Sequence, residues 1–229
     1  MIENLIEPQR LLLTWQPSTR GTRYLVGEIK RLDNDRVLFH YLRDTPDYNK
    51  ALENGFEGYP AFRLSQSFHD QNVLTSFFRR LPPRSRGDFD RYLSQYLLPT
   101  PFKGSDLSLL AHTGAKLPSD TFVLLPDLST CEGNFEYVLE VAGTRYQKEL
   151  DIDAVQAGDA ARLQEELDND HDSNAIAVMH RGVRIGYVNK VLCEYLKPKV
   201  RSGSVLATIA RKNGSSDRPL IYLIISIKN

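Results

Sequence analysis

The segment from Leu167 to Val188 constrains the fold of this chain more than any other. Its first part concentrates acidic, amide, imidazole and hydroxyl side chains, which are Asp168, Asn169, Asp170, His171, Asp172, Ser173 and Asn174. The apolar run 175–179 predicts a β-strand, Arg181-Gly182 predicts a tight turn, and 183–188 predicts the returning strand. The segment therefore predicts a β-hairpin with a polar loop at its open end, where binding residues often lie.

Size and composition are those of an ordinary globular protein. The chain has 229 residues, 41% of them hydrophobic and 25% charged, which is enough for one large domain or two small ones. No apolar run reaches the roughly 18–20 residues that a membrane-spanning helix needs, and the N-terminus lacks a signal-peptide pattern. Cys131 and Cys193 have no CxxC partner, so neither a zinc site nor a disulfide framework is indicated. We therefore expect a cytoplasmic protein without a metal or cofactor.

Charge is unevenly distributed along the C-terminal half, although the net charge is zero. Nine acidic residues and one basic residue, Arg162, lie between Glu149 and Asp172. Nine basic residues and two acidic residues lie between Arg181 and Arg218. Such a unit has a basic face that can bind phosphates, or else solvated faces of opposite sign, and charge alone does not decide between them.

Two motifs in this half resemble the core of the HIRAN domain. The first is D-x-N-A-I-A-V at 172–178, and the second is G-x-x-I-G-Y-V at 182–188. Upstream, V-A-G-T-R-Y at 141–146 looks like the opening strand of that domain. The resemblance covers roughly 136–229. It implies an OB-like β-barrel with one main helix, of a kind that captures the 3′ end of single-stranded DNA.

The resemblance also implies a set of DNA-binding residues, which we call the end site: Arg145, Tyr146, His171, Asp172 and Lys190. In the family pattern the carboxylate accepts the terminal hydroxyl, the rings stack on bases and the cations meet phosphates. His171 replaces the aromatic residue usual at its position. A second departure is 214–217, where tightly binding family members carry a further aromatic ring. We expect weaker binding or a different ligand as a result.

Other interpretations of the polar loop remain open. Its alternating aspartates are similar to the start of a calcium loop, but Ser173 and Met179 stand where Gly and Glu are needed. A two-metal nuclease centre with His171 as the base is an alternative, and Asn174 fits a purely structural role. Gly182 and Gly186 fit turn or close-packing positions.

Apolar periodicity and turn residues predict the secondary structure along the whole chain. The N-terminal strands are predicted at 11–15, 24–29, 36–42, 62–68 and 121–125, and the helices at 73–80, 88–98 and 106–113. Ser105 is the predicted N-cap of the last of these helices, and Gly114 its end. C-terminal strands are predicted at 136–146, 162–167, 205–210 and 220–227, with a helix from Asn189 that ends early near Pro198 and a loop at 212–218.

The N-terminal part resembles a second family. L-F-H-Y-L at 38–42, F-F-R-R-L-P-P-R at 77–84 and D-L-S-L-L-A-H-T-G-A at 106–115 are similar to the N-terminal subdomain of HipA-type toxin kinases, over roughly 10–126. The sequence contains no kinase phosphate loop or catalytic segment. The resemblance therefore implies a bacterial docking module for a separate kinase core or a helix-turn-helix antitoxin. An arginine-rich stretch at 79–91 fits either DNA-backbone contacts or a solvated loop.

These inferences predict an α+β protein of two domains, residues 1–126 and 136–229, joined by a linker at 127–135. The expected function is non-enzymatic binding of single-stranded DNA at a 3′ end, with the N-terminal domain docking a protein partner. The alternative is a toxin–antitoxin type interaction protein that does not bind DNA.

Overall fold

The computed structural model describes residues 1–18, 22–32, 36–169, 172–215 and 218–228. The chain divides into two compact units, one of Ile6–Cys131 and the other of Met1–Leu5 together with Glu132–Asn229. The division falls inside the segment expected as a linker, whereas the first five residues accompany the C-terminal unit. Among the described residues, every helix is too short or too polar to cross a bilayer.

The unit Ile6–Cys131 contains an antiparallel sheet of four strands in the order β3-β2-β1-β4. Its strands are β1 (Arg10–Trp15), β2 (Tyr24–Arg31), β3 (Val37–Tyr41) and β4 (Val123–Pro126). Its helices are α1 (Pro46–Glu53), α2 (Val73–Phe78), α3 (Phe89–Gln95) and α4 (Asp106–Thr113). The predicted ends of α4 are confirmed, because Ser105 accepts the Ser108 N–H at 3.1 Å and Gly114 adopts the left-handed conformation with φ 65°.

The strand predicted at 62–68 does not form, and that prediction was wrong. Phe62 is buried and stacks on Phe39 with ring centroids 4.5 Å apart, whereas Phe68 is 58% exposed. His69, the residue after this segment, forms an isolated bridge with Phe39 of β3. The aromatic side chain of Phe62 is therefore placed by core packing, without the strand partner that a sheet requires.

The C-terminal unit is built on six antiparallel strands in the order β5-β10-β9-β6-β7-β8. These are β5 (Phe135–Glu140), β6 (Ala160–Glu165), β7 (Ile176–His180), β8 (Val183–Tyr187), β9 (Val205–Ser215) and β10 (Arg218–Ile227), with one long helix, α5 (Lys190–Ser202). A bridge between Ala142 and Tyr187 joins the chain after β5 to β8, so the sheet curls until its two edges meet. Leu192 and Leu196 are buried on one face of α5. The prediction for this unit was an OB-like β-barrel with one main helix, and its coarser part, a curled antiparallel sheet with one main helix, is confirmed.

Three predicted boundaries in this unit were wrong. The strand expected to continue to Tyr146 ends at Glu140. The helix α5 passes through Pro198 and ends at Gly203, which caps it with φ 71°. Packing of its buried face outweighs the hydrogen bond that proline removes. The segment 212–218, which was expected to be a loop, is mostly strand: β9 extends to Ser215 and β10 begins at Arg218.

Two glycines behave as predicted. Gly186 has φ 145°, and a Cβ there would overlap the carbonyl oxygen of Ala142 on the neighbouring segment. Its prediction as a close-packing residue is confirmed. Gly182 has φ 84° in the β7–β8 turn, where a Cβ would meet no atom within 4 Å, and its prediction as a turn residue is confirmed.

Candidate nucleic-acid interface

Arg145 and Tyr146 lie in a short 3₁₀ turn, Thr144–Tyr146, instead of a strand. Gly143, with φ 72°, reverses the chain immediately after the bridge that closes the sheet. The Arg145 guanidinium lies over the Tyr146 ring, 4.5 Å from its centroid, and donates to the Tyr146 hydroxyl. Tyr146 is nevertheless 67% exposed. The turn thus presents a flat ring and a cation to solvent, which is the chemistry that an unpaired nucleotide requires.

Asp172 lies in the loop between β6 and β7 and stabilises that loop itself. Its Oδ1 accepts the Asn174 N–H at 2.8 Å, a hydrogen bond that closes an Asx-turn. Its own N–H donates to Oδ1 of Asn169 at 3.0 Å. Within the described residues no hydrogen bond engages Oδ2 of Asp172. That oxygen is therefore the atom with which the side chain can accept a ligand hydroxyl.

The helix α5 holds the other side of this loop. Nζ of Lys197 donates to the Ser173 carbonyl at 3.0 Å and to Oδ1 of Asn174 at 2.9 Å. Asn174 therefore has a structural role, in which its side chain is held by Lys197. Burial and, to a smaller extent, the Asp172 charge raise the pKa of the Cys193 thiol to about 11.

Lys190 is the first residue of α5 and is exposed. The residue before it, Asn189, is the N-cap, as predicted, and its side chain accepts the Val191 N–H at 3.1 Å. Lys190 also stands three positions after Tyr187, whose backbone forms the bridge to Ala142. The start of α5 therefore follows closely on the bridge that precedes the 3₁₀ turn.

A hydrogen-bond network centred on the Glu166 carboxylate connects the 3₁₀ turn that carries Arg145 and Tyr146 with the loop that carries Asp172. Oε2 accepts from Nδ2 of Asn169 at 2.6 Å and from the Tyr187 hydroxyl at 2.8 Å, while Oε1 pairs with Arg184. Nε of Arg184 donates to Oε1 of Gln147 at 3.0 Å, and Gln147 is the residue after Tyr146. Hydrogen bonds therefore run without interruption from the 3₁₀ turn to the loop that carries Asp172.

The pKa shifts in this network follow from its geometry. The Asn169 hydrogen bond, with further contributions from Tyr187 and Arg184, holds the pKa of Glu166 below its ordinary value. Burial and the adjacent Glu166 carboxylate raise the pKa of Tyr187. At neutral pH the Glu166 carboxylate is therefore ionised, and the Tyr187 phenol that donates to it is protonated.

The sequence analysis did not identify the residues of this network as functional: Gln147, Glu166, Asn169, Arg184 and Tyr187. They come from three separate stretches of chain, around 147, 166–169 and 184–187, and no motif spacing connects these stretches. A signal existed for Tyr187, which belongs to the G-x-x-I-G-Y-V motif, and for Asn169, which lies in the polar loop. His171, which was predicted as a stacking residue, lies outside the described residues, as does Asp170. Within the described part of the chain, no group of three His, Cys, Asp or Glu side chains is arranged to hold a metal.

The arginine-rich stretch of the N-terminal unit is largely ion-paired. Arg80 makes a two-pronged pair with Asp120 at 2.6 and 2.7 Å. The other pairs in this stretch are Arg84–Asp106, Arg86–Asp88 and Arg91–Asp88. These carboxylates neutralise the guanidinium groups, so the stretch fits a solvated, ion-paired loop better than a DNA contact.

Comparison with known protein families gives a match within the C-terminal unit. The model of the HIRAN domain matches residues 134–225, so a HIRAN domain is present there, as the two motifs predicted. The match lies outside 10–126 and gives no support to the HipA-type resemblance, which stays a prediction.

One solved structure is similar to the chain. It is the crystal structure of the HIRAN domain of human HLTF, with 21% sequence identity and a TM-score of 0.34, over 42% of this chain and 78% of that chain. The comparison with curated proteins gives no match.

Proposed function

We propose that the C-terminal unit binds single-stranded DNA at its 3′ end through Arg145, Tyr146, Asp172 and Lys190, with His171 as a further contact. The observation that carries this proposal is the hydrogen-bond network that holds the exposed Arg145–Tyr146 pair and the Asp172 loop to one scaffold. The HIRAN match over 134–225 supports it, since all of these residues lie within the matched range.

Each group has a role set by its chemistry. The Tyr146 ring stacks on a base near the end, and Arg145 and Lys190 meet phosphates. Oδ2 of Asp172 accepts the 3′ hydroxyl, while Oδ1 stays engaged in the Asx-turn. A terminal phosphate in place of the hydroxyl puts like charges against that carboxylate and is rejected. The protein acts by binding, without catalysis.

Fluorescence anisotropy of the full chain with three matched probes tests this proposal. The probes are a short single strand with a 3′ hydroxyl, the same strand with a 3′ phosphate, and a blunt duplex. We expect tightest binding to the hydroxyl-ended strand, and loss of the preference for hydroxyl over phosphate in Asp172→Asn. Equal, salt-sensitive binding to all three probes would point to a general basic surface. Metal-dependent degradation of the probe that disappears in Asp172→Ala would establish nuclease activity instead.

A further inference from the structure

An outward-facing row of side chains crosses strands β6, β7 and β8 of the C-terminal unit. Arg162 stands opposite Met179, and Met179 stands opposite Arg184, so all three side chains project from the same face of the sheet. Neighbouring strands lie about 4.8 Å apart, which places the Arg162 backbone roughly 10 Å from that of Arg184.

One end of this row reaches the end site. Arg184 donates to Gln147 at 3.0 Å, and Gln147 directly follows Tyr146. The other end opens into a groove of about 350 Å³, lined by Ala160, Ala161, Arg162, Gln164, Met179, Arg181 and Gly182. We call this the Arg162 groove. A ligand that leaves the end site along the row enters the groove after crossing two strands.

The lining of the Arg162 groove suits a phosphate backbone. Arg162 is exposed, and among the described residues no carboxylate pairs with it. Arg181 forms an ion pair with Asp159 at 3.3 Å, and its side chain is 65% exposed. A guanidinium binds phosphate oxygens in a two-pronged manner and also stacks on bases, and the Gln164 amide can donate and accept hydrogen bonds. Small residues at Ala160, Ala161 and Gly182 leave the strand backbones open to close approach.

The acidic residues nearby are directed elsewhere. Glu165 points to the opposite face, where it pairs with Arg201 at 2.6 Å and Lys197 at 3.9 Å. Glu166 is engaged by Arg184. Asp159 accepts from His180 at 2.7 Å as well as pairing with Arg181. Within the described part of this face, Arg162 is therefore the cation whose charge is left for a ligand.

We propose that the Arg162 groove binds the phosphate backbone of single-stranded DNA upstream of the captured 3′ end, a proposal that rests on the function proposed above. Single-strand-binding OB-type barrels contact roughly 4–16 nucleotides, more than an end site of five residues accommodates. The remaining strand has to cross the barrel surface, and the row from Arg184 to Arg162 offers it an adjacent path that ends at the Arg162 guanidinium.

The test compares 3′-hydroxyl thymidine oligonucleotides of about 3 and about 12 nucleotides, a range chosen to span one barrel site, bound to the full chain in anisotropy titrations. We expect Arg162→Ala to weaken binding of the longer strand about fivefold at 0.1 M salt and to reduce its salt slope by about 0.7, the value for one phosphate contact on a single strand. Binding of the short strand should stay unchanged. Arg63→Ala, which removes an exposed arginine from the other unit, is the matched control.

The outcomes separate this proposal from the one on which it rests. An equal effect of Arg162→Ala on both lengths, or none on either, overturns the groove. Preference for 3′ hydroxyl over 3′ phosphate reports on the end site alone. If that preference is absent while the Arg162-dependent gain with length persists, the groove stands and end recognition falls. Failure to bind any oligonucleotide overturns both.

Discussion

The hydroxyl of Tyr187 donates a 2.8 Å hydrogen bond to Oε2 of Glu166, the same oxygen that accepts from Asn169 at 2.6 Å. Tyr187 belongs to the strand that bridges Ala142, just before the 3₁₀ turn, and Asn169 holds the N–H of Asp172. One carboxylate oxygen therefore ties both sides of the end site together. We infer that Glu166 positions the proposed end site without touching DNA itself.

Replacing Glu166 with Gln should weaken binding of a 3′-hydroxyl strand about tenfold, or roughly 1.4 kcal/mol, the size of one charge-assisted hydrogen bond. The amide introduces a donor that faces the donors of Asn169, Tyr187 and Arg184. Glu165→Gln is the matched control, because the neighbouring carboxylate pairs with Arg201 on the opposite face. Anisotropy titrations at pH 7 measure both variants. Equal effects of the two substitutions would contradict a positioning role for Glu166.

Comparing the wild type with Glu166→Gln at different pH values gives a second test. The folded-state pKa of Glu166 lies below its ordinary value of 4.5, so its contribution to stability is present above about that pH. That contribution is lost as the pH falls through the lowered folded pKa. The difference in free energy of unfolding between the wild type and Glu166→Gln should therefore be constant near neutrality and shrink in acid. A difference that grows in acid would mean that the pKa is raised.

Tyr146→Ala should weaken single-strand binding by about 1–3 kcal/mol, the contribution of one stacked base. Tyr146→Phe retains the ring and loses only the hydroxyl that Arg145 engages, so we expect its affinity to stay near that of the wild type. Anisotropy with the hydroxyl-ended strand distinguishes the two. If Phe is as damaging as Ala, the hydroxyl and its arginine matter more than stacking.

Gly186→Ala should destabilise the C-terminal unit by more than about 3 kcal/mol, because backbone strain at φ 145° is combined with overlap against the Ala142 carbonyl. Gly182→Ala carries strain at φ 84° but meets no neighbouring atom, so its expected effect is about 1–2 kcal/mol. Urea denaturation followed by circular dichroism measures both. Similar losses for the two variants would show that the bridge shifts to accept a methyl group.

His112 should make the N-terminal unit sensitive to mild acid. Its imidazole is buried on α4, accepts the Ile6 N–H at 3.3 Å, and has a pKa lowered by burial from 6.5 to about 3. Between these values the unfolded chain binds a proton that the folded chain does not, so stability falls as the pH falls. From pH 7 to pH 5 we expect a loss of about 2 kcal/mol.

The loss in mild acid should be absent in His112→Gln, which keeps a polar side chain of similar size that does not titrate. Trp15 is the single tryptophan of the chain and belongs to β1 of the same unit, so its fluorescence reports urea unfolding of that unit. An unchanged pH dependence in the variant would assign the effect to other groups.

The sequence predicted those features that depend on neighbouring residues. Ser105 and Gly114 set the ends of α4, Asn189 caps α5, and Gly182 forms the β7–β8 turn, because capping and turn geometry involve only a few consecutive residues. The HIRAN match was likewise evident in two local motifs.

Errors arose where distant contacts override local preference. The 62–68 segment alternates like a strand but lacks a partner, and Phe62 is held by aromatic packing against Phe39. Pro198 is a helix breaker, yet the buried face of α5 carries the helix past it. In both cases the free energy of tertiary packing exceeds the local propensity on which the prediction relied.

By itself, the sequence determined the family of the C-terminal unit, its main helix and its central hairpin. Only the tertiary structure decided how these parts are connected. The Glu166 network and the Arg162 groove arise from strand register and sheet curling, which bring residues far apart in sequence to adjacent positions on one face. Such pairings depend on which strands become neighbours, and no local pattern in the chain specifies that choice.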